Sequence, residues 1–151
     1  RNALQIFKRP LALCIEAADR VDFISPEFNS PWVFFRKAVN IYNASNVYVL
    51  PSLEDNLPNT IMEAMACGVP CVSFAVGGIP EMIDHMENGF LAPPRDAEKL
   101  AEGIWWTLSV ATDKVSQSAV TKVMQKYSAA SVAMQYIEVY NEALALKNYH
   151  L

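Results

Sequence analysis

Three carboxylates crowd the stretch "PSLEDNLPNTIMEAMACGVPCVSF", residues 51–74: Glu54, Asp55 and Glu63. No Lys or Arg occurs between Lys37 and Arg95. Ionised carboxylates accept hydrogen bonds and donate none, so this grouping suits a polar ligand that brings its own donors. The helix expected from about Thr60 adds unpaired N–H groups and a partial positive charge of about +0.5, a ready anion site. Plain structural readings stand beside this. Thr60-Ile61-Met62-Glu63 fits a capping box, with Glu63 reaching back to the Thr60 N–H. Glu54 and Asp55 also fit a solvated turn between strand and helix. A little further on, Gly77 and Gly78 remove side chains where a ligand or another backbone comes close.

Familiar phosphate and metal motifs are missing. The chain has no GxGxxG, which speaks against a dinucleotide-binding turn, and no GxxxxGK[ST], which excludes a P-loop. Its three cysteines, Cys14, Cys67 and Cys71, form no CxxC and have no neighbouring His, so no zinc site is expected. They read as reduced, buried thiols of a cytoplasmic protein.

The elements that must position these residues follow from periodicity. Residues 3–18 read as a helix despite Pro10, and "VDFIS" (21–25) as a strand. A helix is expected over 32–45, where Phe35, Ala38, Val39 and Tyr42 recur at helical spacing. "VYVL" (47–50) is an apolar strand. Residues 60–67 form a helix stopped by Gly68 with Pro70 beyond, and 71–74 form the next strand. A short helix over 79–85 with Pro80 in its first turn, a strand over 89–92 and a helix over 96–109 with Asp96 as N-cap follow. Two more helices, about 113–126 and 129–147, close the chain. Strand and helix in alternation predict an α/β fold, a Rossmann-like parallel sheet flanked by helices. The strand-free last third is expected to close over that sheet. In such sheets ligands bind beyond the carboxyl ends of the strands, here at the loops 51–59 and 75–78.

Bulk properties narrow the classes. A chain of 151 residues, 52% apolar, is one domain with enough material for a core. A net charge of −4 argues against a nucleic-acid binder. No apolar run approaches the roughly 20 residues of a membrane span, and no signal peptide is visible. The chain begins at Arg1 rather than Met, which suggests a fragment.

Over residues 46 to about 110 the sequence resembles the C-terminal half-domain of the GT-B retaining glycosyltransferases of the family-four group. The shared pattern is P-S, an acidic loop, E-A-M-A-C-G-x-P, then G-G-x-x-E and N-G-x-L, present here as "PSLEDN", "EAMACGVP", "GGIPE" and "NGFL". A weaker likeness extends over 127–144. The resemblance implies a nucleotide-sugar-binding domain spanning 1–151 that is incomplete at its N-terminal side, with 113–151 as closing helices. It implies transfer of a hexosyl group from a nucleotide-sugar donor to a glycan or lipid acceptor, with retention at the anomeric carbon and no metal or other cofactor. A lipid acceptor would allow peripheral membrane association of the full-length protein. The family's acidic pair is separated by seven residues, and counting back from Glu63 this register selects Asp55, not Glu54. By the resemblance, Glu63 bonds the ribose hydroxyls, and Asp55, the catalytic residue of the pair, faces the hydroxyls of the donor sugar. Glu54 is an alternative contact, because Asp is one methylene shorter than the usual Glu. Asn56, Leu57, Pro58, Asn59 and Thr60 line the sugar and diphosphate, mainly through their backbone, and Gly77 and Gly78 complete the cleft.

The family's Arg/Lys pair, which meets the diphosphate, comes from an upstream segment that "KRP" (8–10) does not resemble. The first β–α–β portion and the N-terminal GT-B domain are therefore expected to be missing, and the isolated chain to be inactive. Two alternatives remain at this level: a sugar-nucleotide epimerase of GT-B fold, and a non-catalytic α/β interaction module. Other residues have simpler roles. Glu81 anchors its own helix, His85 lies at the surface, and Met62, Met65 and Met82 fill the core. One of Trp105 and Trp106 is core and the other exposed, being about 100° apart on a helix. Tyr136 and Tyr140 form a packing pair at i, i+4.

Overall fold

The computed structural model describes residues 13–15, 31–110 and 113–148, and for 13–15, 31–37 and 147–148 the backbone alone. Four strands, β1 (Leu13–Ile15), β2 (Val47–Leu50), β3 (Cys71–Phe74) and β4 (Gly89–Ala92), form one parallel sheet in sequential order. Their registers place Cys14 beside Tyr48, Tyr48 beside Cys71 and Cys71 beside Gly89. Parallel neighbours need crossovers, and these carry α1 (Pro31–Ala44), α2 (Asn59–Ala66) and the short α3 (Ile79–Met82). Three helices follow: α4 (Ala97–Val110), α5 (Asp113–Lys126) and α6 (Ala129–Asn148).

Every residue of β2 and β3 is buried, as expected of strands covered on both faces. Successive residues point to opposite faces. Tyr48, Leu50 and Cys71 join Tyr42, Ile61, Met65, Ile79, Met82, Ala119 and Val123 in one core beneath α1, α2, α3 and α5. Val47, Val49, Val72, Phe74, Phe90 and Ala92 form the other, packed by Leu100, Ile104, Trp106 and Leu108 of α4. Burial of aliphatic side chains such as these contributes about 1.5–3 kcal/mol apiece.

The sheet and most helices match the sequence reading, and four departures have physical reasons. Residues 13–15 are a strand rather than part of a helix, because pairing with β2 overrides local periodicity. The remainder of 3–18 and the expected strand 21–25 lie outside the described residues. α3 stops at Met82 rather than 85 because Asp84 and Asn88 bond each other. The Asp84 N–H donates to Asn88 Oδ1 at 2.9 Å and Asn88 Nδ2 to Asp84 Oδ2 at 3.1 Å, a local alternative to helix. Lys122 of α5 ties this turn down, with Nζ 2.7 Å from Asp84 Oδ1. α2 begins at Asn59 with Pro58 as N-cap and no side-chain cap, so the Thr60–Glu63 capping box does not form. Of the closing helices, α5 packs on α2 but α6 meets mainly α5. Met134, Tyr136, Ile137, Val139, Tyr140, Leu144 and Leu146 of α6 are each more than half exposed.

Helix ends otherwise behave as read. Gly68, at φ +75°, closes α2: its N–H bonds Met65 O at 2.9 Å and the Val69 N–H bonds Ala64 O at 2.9 Å, the paired bonds of a Schellman ending. Asp96 Oδ1 accepts the Lys99 N–H at 2.9 Å and caps α4.

Candidate functional site

The loops 51–59 and 75–78 leave the carboxyl ends of β2 and β3, which are hydrogen-bonded neighbours. They are joined backbone to backbone. The Gly78 N–H donates to Asn56 O at 2.6 Å. A Cβ on Gly77 would stand 1.7 Å from Asp55 O, and one on Gly78 2.2 Å from Asn56 O. The glycine pair is therefore required by the approach of the other loop. Gly77 also holds φ +50°, a left-handed conformation that disfavours any side chain. The acidic loop is in this way set at a fixed height above the sheet.

Within it, Ser52 Oγ donates to Glu54 O at 3.0 Å and shapes the turn. Glu54, Asn56, Leu57 and Asn59 are exposed, Asp55 and Thr60 are half-buried, and Pro58 is buried. At the start of α2 the Ile61 N–H finds Pro58 O at 3.2 Å. The Asn59 and Thr60 N–H groups come too early in the helix for an intrahelical acceptor. Glu63 follows about 6 Å further along the axis at 1.5 Å per residue. Its half-buried carboxylate accepts the Tyr42 hydroxyl at Oε2, 3.2 Å away. One turn later, burial first and the Glu63 charge second push the Cys67 thiol above its ordinary range. Glu63 thus faces α1 and Cys67 rather than its own helix start.

The sheet edge so brings together Asp55, Asn56, Leu57, Pro58, Asn59, Thr60, Gly77 and Gly78 as one loop pair, with Glu54 on its exposed outer turn and Glu63 on the helix below. Tyr42 escaped the sequence reading as anything but an apolar helix position; no local pattern marks a tyrosine whose hydroxyl meets a carboxylate 21 residues away.

Residues outside the site hold the frame. The Tyr127 hydroxyl donates to Glu81 O at 3.2 Å. His85 Nδ1 accepts the Leu91 N–H at 3.1 Å, and its ring meets Phe90 edge-on at 4.5 Å. Trp106 packs 6.0 Å from Phe90, whereas Trp105 is 74% exposed. The Tyr136 and Tyr140 rings lie 6.4 Å apart. Met65 and Met82 are fully buried. Cys67 is a free thiol, and the buried Cys71 thiol donates to Val69 O at 3.5 Å. Among the described residues no group of three or more His, Cys, Asp and Glu side chains could hold a metal, and no helix is long and apolar enough to cross a membrane.

A parallel α/β sheet with its loop pair at the carboxyl edge is the frame of the GT-B glycosyltransferases, and solved members superpose on it. Sucrose-phosphate synthase from Thermosynechococcus elongatus does so with a TM-score of 0.63 at 24% identity, over 89% of this chain and 38% of that one. Anabaena Alr3699/HepE, solved in complex with UDP-glucose, does so with a TM-score of 0.60 at 26% identity, over 68% of this chain and 29% of that one. The chain belongs to the glycosyl transferases group 1 family, which residues 16–109 match. It is 30% identical over 135 residues to a D-inositol 3-phosphate glycosyltransferase of Mycobacteroides abscessus, covering 89% of this chain. It is 35% identical over 95 residues to an uncharacterized glycosyltransferase of Haemophilus influenzae, covering 62% of this chain. It spans only 29% and 25% of those two proteins' lengths.

Proposed function

We propose that this chain is the donor-binding part of a retaining glycosyltransferase that moves a hexosyl group from a nucleotide-sugar to a glycan or lipid acceptor. The observation that carries the reading is the junction of the two loops. It fixes Asp55 in the loop that leads into a helix start no side chain caps, with Glu63 one turn along that helix. Uncapped N–H groups suit a phosphate, and carboxylates on either side suit hydroxyl donors. Glu63 takes the ribose hydroxyls and Asp55, or Glu54, those of the donor sugar. The backbone of 56–60 runs along the sugar and diphosphate.

In the transfer, the bond from the anomeric carbon to the diphosphate oxygen breaks. A bond to the acceptor oxygen forms on the same face, and the acceptor hydroxyl gives up its proton to an oxygen of the departing diphosphate. Charge develops on the leaving diphosphate, where the α2 N-terminus offers preorganised dipoles. This assigns no metal and no cofactor. The run without Lys or Arg between Lys37 and Arg95 leaves the cationic share of that stabilisation to the rest of the protein. The isolated chain is then inactive and a weak donor binder.

Because Anabaena HepE was solved with UDP-glucose, that donor is the first to try, followed by guanosine and adenosine diphosphosugars. Calorimetric titration of the full-length protein should give a binder whose affinity falls at least tenfold in Asp55→Ala and in Glu63→Ala, as for charged hydrogen-bond partners. Undiminished affinity in both variants would refute the assignment.

A further inference from the structure

Tyr42 lies near the end of α1 and is 6% exposed. Its ring is fixed by an edge-on contact with the fully buried Tyr48, centroids 5.7 Å apart at 80°. Its hydroxyl donates to Glu63 Oε2 at 3.2 Å, joining α1 to α2. Among the described side chains no Lys or Arg pairs with that carboxylate, and Tyr42 is its one hydrogen-bond donor. A carboxylate offers about four lone-pair sites, so most of its accepting capacity remains for a ligand.

Glutamate has three rotatable side-chain bonds, and freezing them opposes binding. A tyrosine hydroxyl on a ring locked in the core supplies a fixed anchor for one carboxylate oxygen, so the group is already oriented when a ligand arrives. Anchoring at Oε2 matters most for a ligand that needs both oxygens in set positions, and a cis-diol is such a ligand.

We propose that Tyr42 is a positioning residue that holds the Glu63 carboxylate for the 2′,3′-diol of the donor's ribose. This rests on the assignment of Glu63 to the ribose made above. If instead the bond exists only to satisfy a buried phenol, its loss alters stability and leaves ligand discrimination untouched.

Tyr42→Phe keeps the ring and removes the hydroxyl. Calorimetry on the full-length protein with UDP, GDP and ADP identifies the nucleotide that binds, and its 2′,3′-dideoxy counterpart is titrated in parallel. A bond of 3.2 Å is long for a charge-assisted one, so the expected loss for the ribonucleotide is about three- to tenfold. The dideoxy nucleotide should bind wild type and Tyr42→Phe alike, and Tyr42→Phe in a Glu63→Ala background, which leaves the hydroxyl no carboxylate or amide to bond, should change nothing further. Equal weakening for both nucleotides, or for neither, overturns the role of Tyr42. If Glu63→Ala erases the preference for ribose while Tyr42→Phe leaves it intact, only the Tyr42 inference falls. If Glu63→Ala leaves the preference intact, or no nucleotide binds wild type, the assignment of Glu63 falls and the inference with it.

Discussion

Replacing Gly77 by Ala tests whether the acidic loop is held by its neighbour. The new methyl would stand 1.7 Å from Asp55 O, a backbone atom that no rotamer change can move aside. Gly68→Ala is the natural control. Gly68 also has a positive φ, +75°, but a methyl there meets Val120 Cγ2 at 3.7 Å and Ser116 Cβ at 3.8 Å, ordinary contacts. Both variants carry the left-handed strain, about 1–2 kcal/mol, and both reduce the freedom of the unfolded chain by a similar amount. Their difference therefore isolates the clash. Relieving it means parting the loops, at the cost of the bond from the Gly78 N–H to Asn56 O, about 0.5–1.5 kcal/mol, plus the loops' mutual packing. Gly77→Ala should be less stable than Gly68→Ala by about 1–2 kcal/mol, or roughly 2–8 °C in Tm at this size. Urea and thermal unfolding measure this, and nucleotide titration of the full-length protein should show lost binding in Gly77→Ala alone. Equal stability and equal binding in the two variants would refute the idea that the glycine pair positions the loop.

The other substitutions probe separate contacts. A Cβ on Gly103 would lie 2.3 Å from Phe90 Cδ1, so Gly103→Ala should push α4 away from the sheet. The expected loss is about 1–3 kcal/mol by urea unfolding, partly restored when Phe90 is also made Leu. The Cys67 thiol is raised by burial and then by Glu63, so its alkylation by iodoacetamide should require a higher pH than a free cysteine. Glu63→Gln should speed that labelling, read by peptide mass mapping. The sign for stability follows: a neutral thiol favoured by the fold contributes stability that is complete below the unfolded pKa and lost as pH rises through the folded one.

Much of the fold was legible because its strands are short, apolar and punctuated. Val47–Leu50 ends at Pro51, Gly68 closes α2 and Asp96 opens α4, and each signal acts within a few residues. β1 was not legible: three residues, "LCI", carry no periodicity, and they are a strand because β2 lies beside them. The length of α3 was missed for a similar reason, since the Asp84–Asn88 exchange depends on side chains folding back across a turn. At the site, composition and spacing located the carboxylates and the glycine pair. They left open what the glycines admit, and the geometry answers that it is the backbone of Asp55 and Asn56.

The start of α2 carries the deepest of these lessons. Thr60 and Glu63 have the types and spacing of a capping box, which would have satisfied two N–H groups locally. Instead the cap position falls two residues earlier, at Pro58, whose ring offers no acceptor. That start forgoes a cap that is typically worth about 1 kcal/mol. The C-terminal bonds at Gly68 and Val69 and the complete burial of Ile61, Ala64 and Met65 hold the helix regardless. Moving the start by two residues has two consequences at once. It leaves the opening N–H groups to solvent or a ligand, and it frees Glu63 from its own helix end so that Tyr42 can take it. A local device for stability is thus replaced by two groups with unused hydrogen-bonding capacity at the carboxyl edge of the sheet. Natural sequences tend to break local rules in this way where a site has to be built.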